Sequence, residues 1–413
     1  MSIADLSRTL ADRNLDFLAG APSVLHCHHF NLFLDQTIDD ALGPVDGPRL
    51  RFEAARDAAR QLLRGAIGLA DLRTPAERLA FAQELFGAMG HGILHLDATP
   101  NGGTAEGHHL HYGFAWREKY GSIVRRRTPA DAVASGFAAA AVELAFDTVP
   151  MDSTEQQCIA MEHDRCSFTL SPDPSATTRP LLTEDNIDCN PPTRGLEEDR
   201  IAHITAELRG LLATVKCDDR GLVQAFGVYV TRHLTNYYNA ISYASVERVA
   251  SRNMALVPMV EGLLRESGHV CVFNTFGGIL YSPEWDGLVG RVRGDLEEVV
   301  GGCCAIARAL GFGSWAISEL TPERLVLRTG SEYESPFCQA ALGNQCRGTS
   351  YFLQGAALAF MRLWQAIDWN SRPGLDQRLY DQLFRSGQVT WHVEQTRTLS
   401  AGDPVSEVVV TRR

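Results

Sequence analysis

Glu155-Gln-Gln-Cys158-Ile-Ala-Met-Glu-His-Asp-Arg-Cys166, residues 155–166, is the stretch on which the reading of this chain turns. Thiolates bind zinc tightly, and a short loop between two cysteines lets both reach one ion. Glu155 stands one helical turn or one strand step before Cys158, within reach as a third, hard ligand. Cys-x7-Cys is not a standard zinc knuckle. Spacing alone therefore leaves a second reading open, two buried cysteines flanking a charged turn.

Upstream of this tail the histidines crowd together. Nine of the thirteen fall before residue 170, at positions 26, 28, 29, 91, 95, 108, 109, 111 and 163. His26-Cys27-His28-His29-Phe30-Asn31 is the densest run. Gly107–Trp116 alternates in the manner of a strand, which would put His109 and His111 on one face. Convergence of His28 or His29 with His109 or His111 would give imidazole ligands for iron, copper, zinc or a haem. The alternative is a wet polar rim with one or two core hydrogen bonds. Tyr112, Phe114 and Trp116 interleave with the same run, where an aromatic could clamp a planar ligand or belong to the core. Asn31 and Trp116 are the candidate cofactor contacts. Tyr237, Tyr238 and Trp285 are weaker candidates in the second half, and Cys271 and Cys303-Cys304 read as packing residues.

The stretch 171–198 carries five prolines and many turn formers, and reads as a linker. It divides the chain into a domain over 1–170 and another over 199–413. The halves share an order of features. His28 to Asn31 matches His233 to Asn236, and Gly90-His91 matches Gly268-His269. Strand-like runs Ile93–Gly103 and Val270–Gly278 follow, then small-residue helices Gly136–Leu144 and Gly355–Leu363. Helical periodicity marks Ala54–Ile67 and Arg78–Met89. Leu325–Thr329 alternates as a strand, and Val405–Val410 reads as an edge strand. The fold class is α+β, antiparallel sheet with packed helices.

Composition narrows the function. The chain has 413 residues, 45% hydrophobic, 21% charged, with net charge -12. That balance disfavours a nucleic-acid partner, because phosphate contacts need clustered Lys and Arg. No apolar run is long enough for a bilayer, and the N-terminus lacks the order of a signal peptide, so a cytoplasmic protein is expected. Ten cysteines are then thiols or metal ligands rather than a disulfide scaffold. No Walker loop, dinucleotide fingerprint or nucleophile elbow is present.

The pattern Glu-x2-Cys-x-Ala-Met-x4-Cys resembles the end of the 4-vinyl reductase domain. That domain also forms part of the ligand sensor in phenol- and xylene-responsive bacterial activators. The resemblance extends through Val24–Ile67, with its Ile38-Asp39-Asp40-Ala41-Leu42-Gly43 and Ala54-Ala55-Arg56, to Gly136-Phe137-Ala138. It implies an α+β domain, a buried apolar pocket, and a zinc held by Glu155, Cys158 and Cys166. At the family's upstream fourth-ligand cysteine this chain has Asp131, which can also ligate zinc. The second half resembles the family weakly. Cys346 lies near the upstream position, but His392-Val-Glu394 and Gly402-Asp403-Pro404 lack both cysteines, so this type of metal is expected in the first half only.

The leading functional reading is a metal-dependent enzyme acting on a small aromatic or amphipathic molecule in a buried pocket. His28, His29, His109 and His111 would be its ligands or acid-base groups, and the zinc would be separate and structural. The alternative is a non-catalytic sensor or carrier of an aromatic, hydrocarbon or tetrapyrrole ligand. The related sensors dimerise. The quaternary state stays open between a homodimer and a repeat that supplies that contact within one chain.

Overall fold

The computed structural model describes residues 3–179, 181–187, 193–343, 346, 348–384 and 391–413. The chain opens with a short helix α1 (Ile3–Leu6) and strands β1 (Ser7–Leu10), β2 (Leu15–Leu18) and β3 (Ala21–Cys27). Helices α2 (His28–Leu42), α3 (Asp46–Leu69) and α4 (Pro75–Ala88) follow. The start of α4 is written in its sequence. Thr74 and Glu77 form a capping box, and Pro75 sits where its missing N–H costs nothing. Next come β4 (His95–Thr99), β5 (Gly102–Gly107), α5 (His111–Tyr120), α6 (Ala132–Phe146), β6 (Met151–Gln157) and β7 (Cys166–Pro172). Ala-rich α6 is apolar nearly all round, as a helix in the core must be.

The second half has α7 (Glu198–Leu212), β8 (Val223–Ala225), β9 (Val228–Leu234), α8 (Thr235–Arg252), α9 (Val257–Cys271), α10 (Gly277–Tyr281), α11 (Pro283–Leu288) and α12 (Leu296–Ala309). It closes with β10 (Ala316–Thr321), β11 (Arg324–Thr329), α13 (Glu334–Leu342), α14 (Tyr351–Ala366), α15 (Gln377–Phe384), β12 (Trp391–Arg397) and β13 (Ser406–Arg412). All three sheets are antiparallel, and with the packed helices they make an α+β fold.

Two sheets have the same order, β4-β5-β7-β6 and β10-β11-β13-β12. Both shift register late in the outer strand, between Glu155 and Gln157 and between Gln395 and Arg397. The third sheet, β1-β2-β3-β9-β8, joins the halves by pairing Ser23–Cys27 with Val230–Leu234. Each half also hooks onto the other. Leu25 donates its backbone N–H to Leu310 (2.9 Å), and Arg232 donates to Met89 (2.8 Å). The turns receiving these bonds contain glycines at positive φ, Gly90 and Gly92 in one and Gly311 and Gly313 in the other.

Several expectations are corrected. Gly107–Trp116 is not a strand. β5 ends at Gly107, and His111, Tyr112, Phe114 and Trp116 lie on helix α5. Every residue from His111 to Trp116 is buried, so no helical period shows in the sequence. Val270–Gly278 is the end of α9, a π-helical turn (Val272–Phe276) and the start of α10. A short apolar run cannot separate a buried strand from a buried helix. Strand β13 lies inside its sheet, not at the edge. Cys338 and Cys346 are joined by a disulfide rather than standing as thiols. The proline-rich stretch is anchored in part: Leu182 is buried and its carbonyl accepts from Gln61 and Asn236.

Candidate functional site

Three elements bring the tail together. Glu155 lies on β6, Cys158 just beyond it, Cys166 opens β7, and Asp131 precedes α6. Their ligand atoms all lie within 4.8 Å of one another. Cys166 Sγ is 3.0 Å from Asp131 Oδ2. Asp131 Oδ2 accepts from Gly113 N–H (2.9 Å), and Glu155 Oε2 accepts from Asp131 N–H (3.0 Å). Each sulfur also receives a backbone N–H, Ala130 to Cys158 and Ile159 to Cys166, both at 3.3 Å. Glu155 Oε1 is buried without a partner among the described residues.

Four acidic groups packed this closely resist ionising together. Burial lifts the Asp131 carboxyl to about 7 and raises the Glu155 carboxyl and the Cys166 thiol. The hydrogen bond from Cys166 pulls the Cys158 thiol down to about 6. Two thiols and two carboxyls, one of them with an orphaned oxygen, form a donor set suited to a divalent cation.

The corresponding elements of the other half carry different chemistry. By sheet register Gln395, Thr398 and Ser406 stand where Glu155, Cys158 and Cys166 stand, and Ser350 precedes α14 as Asp131 precedes α6. There Ser335, Ser350 and Ser406 donate to Glu332 Oε1. A hydroxyl network around one buried carboxyl replaces the thiols.

The predicted histidines are scattered by comparison. His28 and His29 open α2 with ring centroids 4.0 Å apart. His28 Nδ1 accepts from Tyr229 N–H (3.2 Å), and His29 Nε2 lies 3.0 Å from Lys119 Nζ. Burial holds His28 down at about 4. His111 Nε2 meets Asn31 Nδ2 at 3.0 Å, and Asn31 Oδ1 accepts from Tyr238 Oη at 2.5 Å. His109 is half-buried beside Phe114. These four do not make one of the three-ligand groups found among the described residues. Trp116 is buried under Arg126, 4.9 Å from its ring centroid, and donates Nε1–H to Val124 O. Asn31 and Trp116 are thus engaged with protein groups.

A different set of residues surrounds a cavity of about 20 Å³. Ala55, Ala58 and Ala59 of α3, Phe86 and Met89 at the end of α4, and Val133 and Phe137 of α6 form its apolar wall. His91 comes from the glycine turn, and His233, Leu234 and Tyr237 from the second half. His233 Nε2 lies 2.9 Å from Tyr112 Oη. His91 is fully buried, and its Nδ1 has no partner among the described residues. Burial pushes His91 down to about 3, so it is a neutral imidazole. The sequence reading used His91 and His233 as markers of repetition and missed their convergence. The available signal was His91 between two glycines.

No family model matches this chain, and no curated protein matches it. Among solved structures it is similar to the crystal structure of the phenol-responsive sensory domain of the transcription activator PoxR with phenol. The identity is 13%, the TM-score 0.34, and the match covers 41% of this chain and 86% of that one. Among the described residues no helix is long and apolar enough to cross a membrane.

Proposed function

We propose that this protein is a non-catalytic binder of a small aromatic molecule carrying a hydroxyl, taken up in the chamber between α3, α6 and the His91 turn. The observation that carries the reading is His91, a residue lining an apolar cavity whose buried Nδ1 has no partner among the described residues. An unmade buried hydrogen bond costs about 1–3 kcal/mol, which a ligand hydroxyl would recover. A phenol fits that chemistry, with an apolar ring for the wall and a hydroxyl for the imidazole. The present volume is about that of one water, so a ring enters only if side chains of the wall shift.

In this reading Asp131, Glu155, Cys158 and Cys166 hold a zinc whose role is structural. It would tie the start of α6 to β6 and β7, and α6 carries Val133 and Phe137 of the chamber wall. The halves act as a pseudo-symmetric pair within one chain, since both line the chamber. A metal-dependent reaction at His28, His29, His109 and His111 is not proposed, because those side chains do not gather around one point.

Calorimetric titration with phenol and with benzene tests the reading. Phenol should bind at one per chain and at least tenfold more tightly than benzene, and His91→Phe should remove that preference. Equal affinity for the two, or a preference that survives in the variant, would overturn it.

A further inference from the structure

A second group of soft ligands lies away from the tail. His26 ends on β3, Cys27 caps α2, and Cys271 is the last residue of α9, where the helix widens into its π turn. All three are about 1% exposed, and their ligand atoms lie within 4.8 Å of one another. Cys27 Sγ is 3.9 Å from Cys271 Sγ, which is 3.8 Å from His26 Nδ1. Three ligands at metal–sulfur distances of about 2.3 Å and metal–nitrogen distances of about 2.0 Å, spread at 120°, would stand roughly 4.0 and 3.7 Å apart. The side chains already hold that spacing. π turns inside helices recur at functional sites.

We propose that His26, Cys27 and Cys271 form a three-coordinate site for a soft monovalent metal, Cu(I). The choice of ion follows from the surroundings. Phe30, Phe312, Phe352 and Tyr238 enclose the His26 ring at centroid distances of 3.8–5.2 Å. Structural zinc takes four ligands, and this group among the described residues supplies three. The remaining polar atom beside Cys271, Thr275 Oγ1, belongs to a neutral hydroxyl. Two thiolates and an imidazole suit Cu(I). His26 meets Cys271 Sγ through Nδ1, the nitrogen that would ligate, while its Nε2 has no partner among the described residues. At the helix start, Cys27 Sγ accepts the Phe30 N–H, which favours its thiolate. Two thiolates with Cu(I) carry one negative charge. Lys119, whose ammonium meets His29, supplies the opposing positive charge.

The test is an anaerobic titration of the reduced, zinc-loaded full chain with Cu(I) against a chromophoric Cu(I) chelator that strips the exposed Cys217. The expected result is one Cu(I) retained per chain with no zinc released. X-ray absorption should show two sulfurs and one nitrogen, and Cys271→Ala should retain Cu(I) at least 100-fold more weakly. Four results would overturn the proposal: no retention, zinc displaced one for one, unchanged retention in folded Cys271→Ala, or a Cys27–Cys271 disulfide in the reduced protein. If Cys271→Ala does not fold, absorption on the unmutated chain decides alone, and any ligand set other than two sulfurs and one nitrogen overturns it.

Discussion

Replacing His91 with phenylalanine should change how stability depends on pH. His91 is fully buried, and burial holds its imidazole near a pKa of about 3, against 6.5 when unfolded. Its folded pKa is depressed, so its stabilising contribution is complete above pH 6.5 and is lost as pH falls from 6.5 toward 3. At pH 5 the unfolded histidine is mostly protonated and the folded one is not. The gap of 1.5 units costs the folded state about 2 kcal/mol relative to pH 8. Phenylalanine cannot take a proton. It also resembles the local solution in the other half, where Phe312 lies between Gly311 and Gly313 as His91 lies between Gly90 and Gly92. At pH 8 the variant relieves one unpartnered nitrogen and loses a contact to the Arg232 backbone, so it should differ by no more than about 1 kcal/mol. At pH 5 it should gain a further 2 kcal/mol or so over the unmutated chain. Urea unfolding of both proteins at pH 8 and pH 5 measures this. A difference between them that is the same at both pH values would refute the account of His91 as a buried neutral imidazole.

Other perturbations have calculable outcomes. A Cβ at Gly355 would meet the Arg265 carbonyl oxygen at 1.9 Å, so Gly355→Ala should destabilise by about 2 kcal/mol or more despite its better helix propensity. A rise in melting temperature would show that α9 and α14 are not in this close contact. Arg51 is completely buried between Asp35 and Asp39, and Arg51→Ala should cost about 3–5 kcal/mol by taking the guanidinium from Asp35, while Asp39 keeps its pairing with Arg126. Chemical denaturation reads that loss, and a cost below about 1 kcal/mol would contradict it. Cys158→Ser should lower bound zinc from one per chain to none by elemental analysis after dialysis, with a fall in melting temperature; retained zinc would exclude the tail as its site.

What could be read in advance was local. Glu155, Cys158 and Cys166 lie within one hairpin, so their spacing carries the chemistry, while Asp131 entered only through a resemblance. The helices Ala54–Ile67 and Arg78–Met89 showed their period because each keeps a wet face, and both lie in α3 and α4 as described. Where burial is complete the period vanishes, which is why α5 was read as a strand. The features of the two halves that the sheets and turns set in like positions are not the ones matched from the sequence. Leu25 and Arg232 make matching backbone bonds to the turns at Leu310 and Met89, which sets His26, not His28, in the position like that of His233. Likewise Gly90-His91 corresponds to Gly311-Phe312 rather than to Gly268-His269. Cys27 and Cys271 are 244 residues apart, and no local pattern could predict that they meet. His91 and His233 converge only because each half's strand hooks onto the other's turn.

The central claim is that a hydroxylated aromatic occupies the chamber beside His91. A crystal grown with 4-bromophenol tests it most directly, through the anomalous signal of bromine. The account predicts one strong peak per chain, between Ala58, Phe137 and His91, with the phenol oxygen within hydrogen-bond distance of His91 Nδ1. A peak elsewhere, or no peak at a saturating concentration, would contradict it.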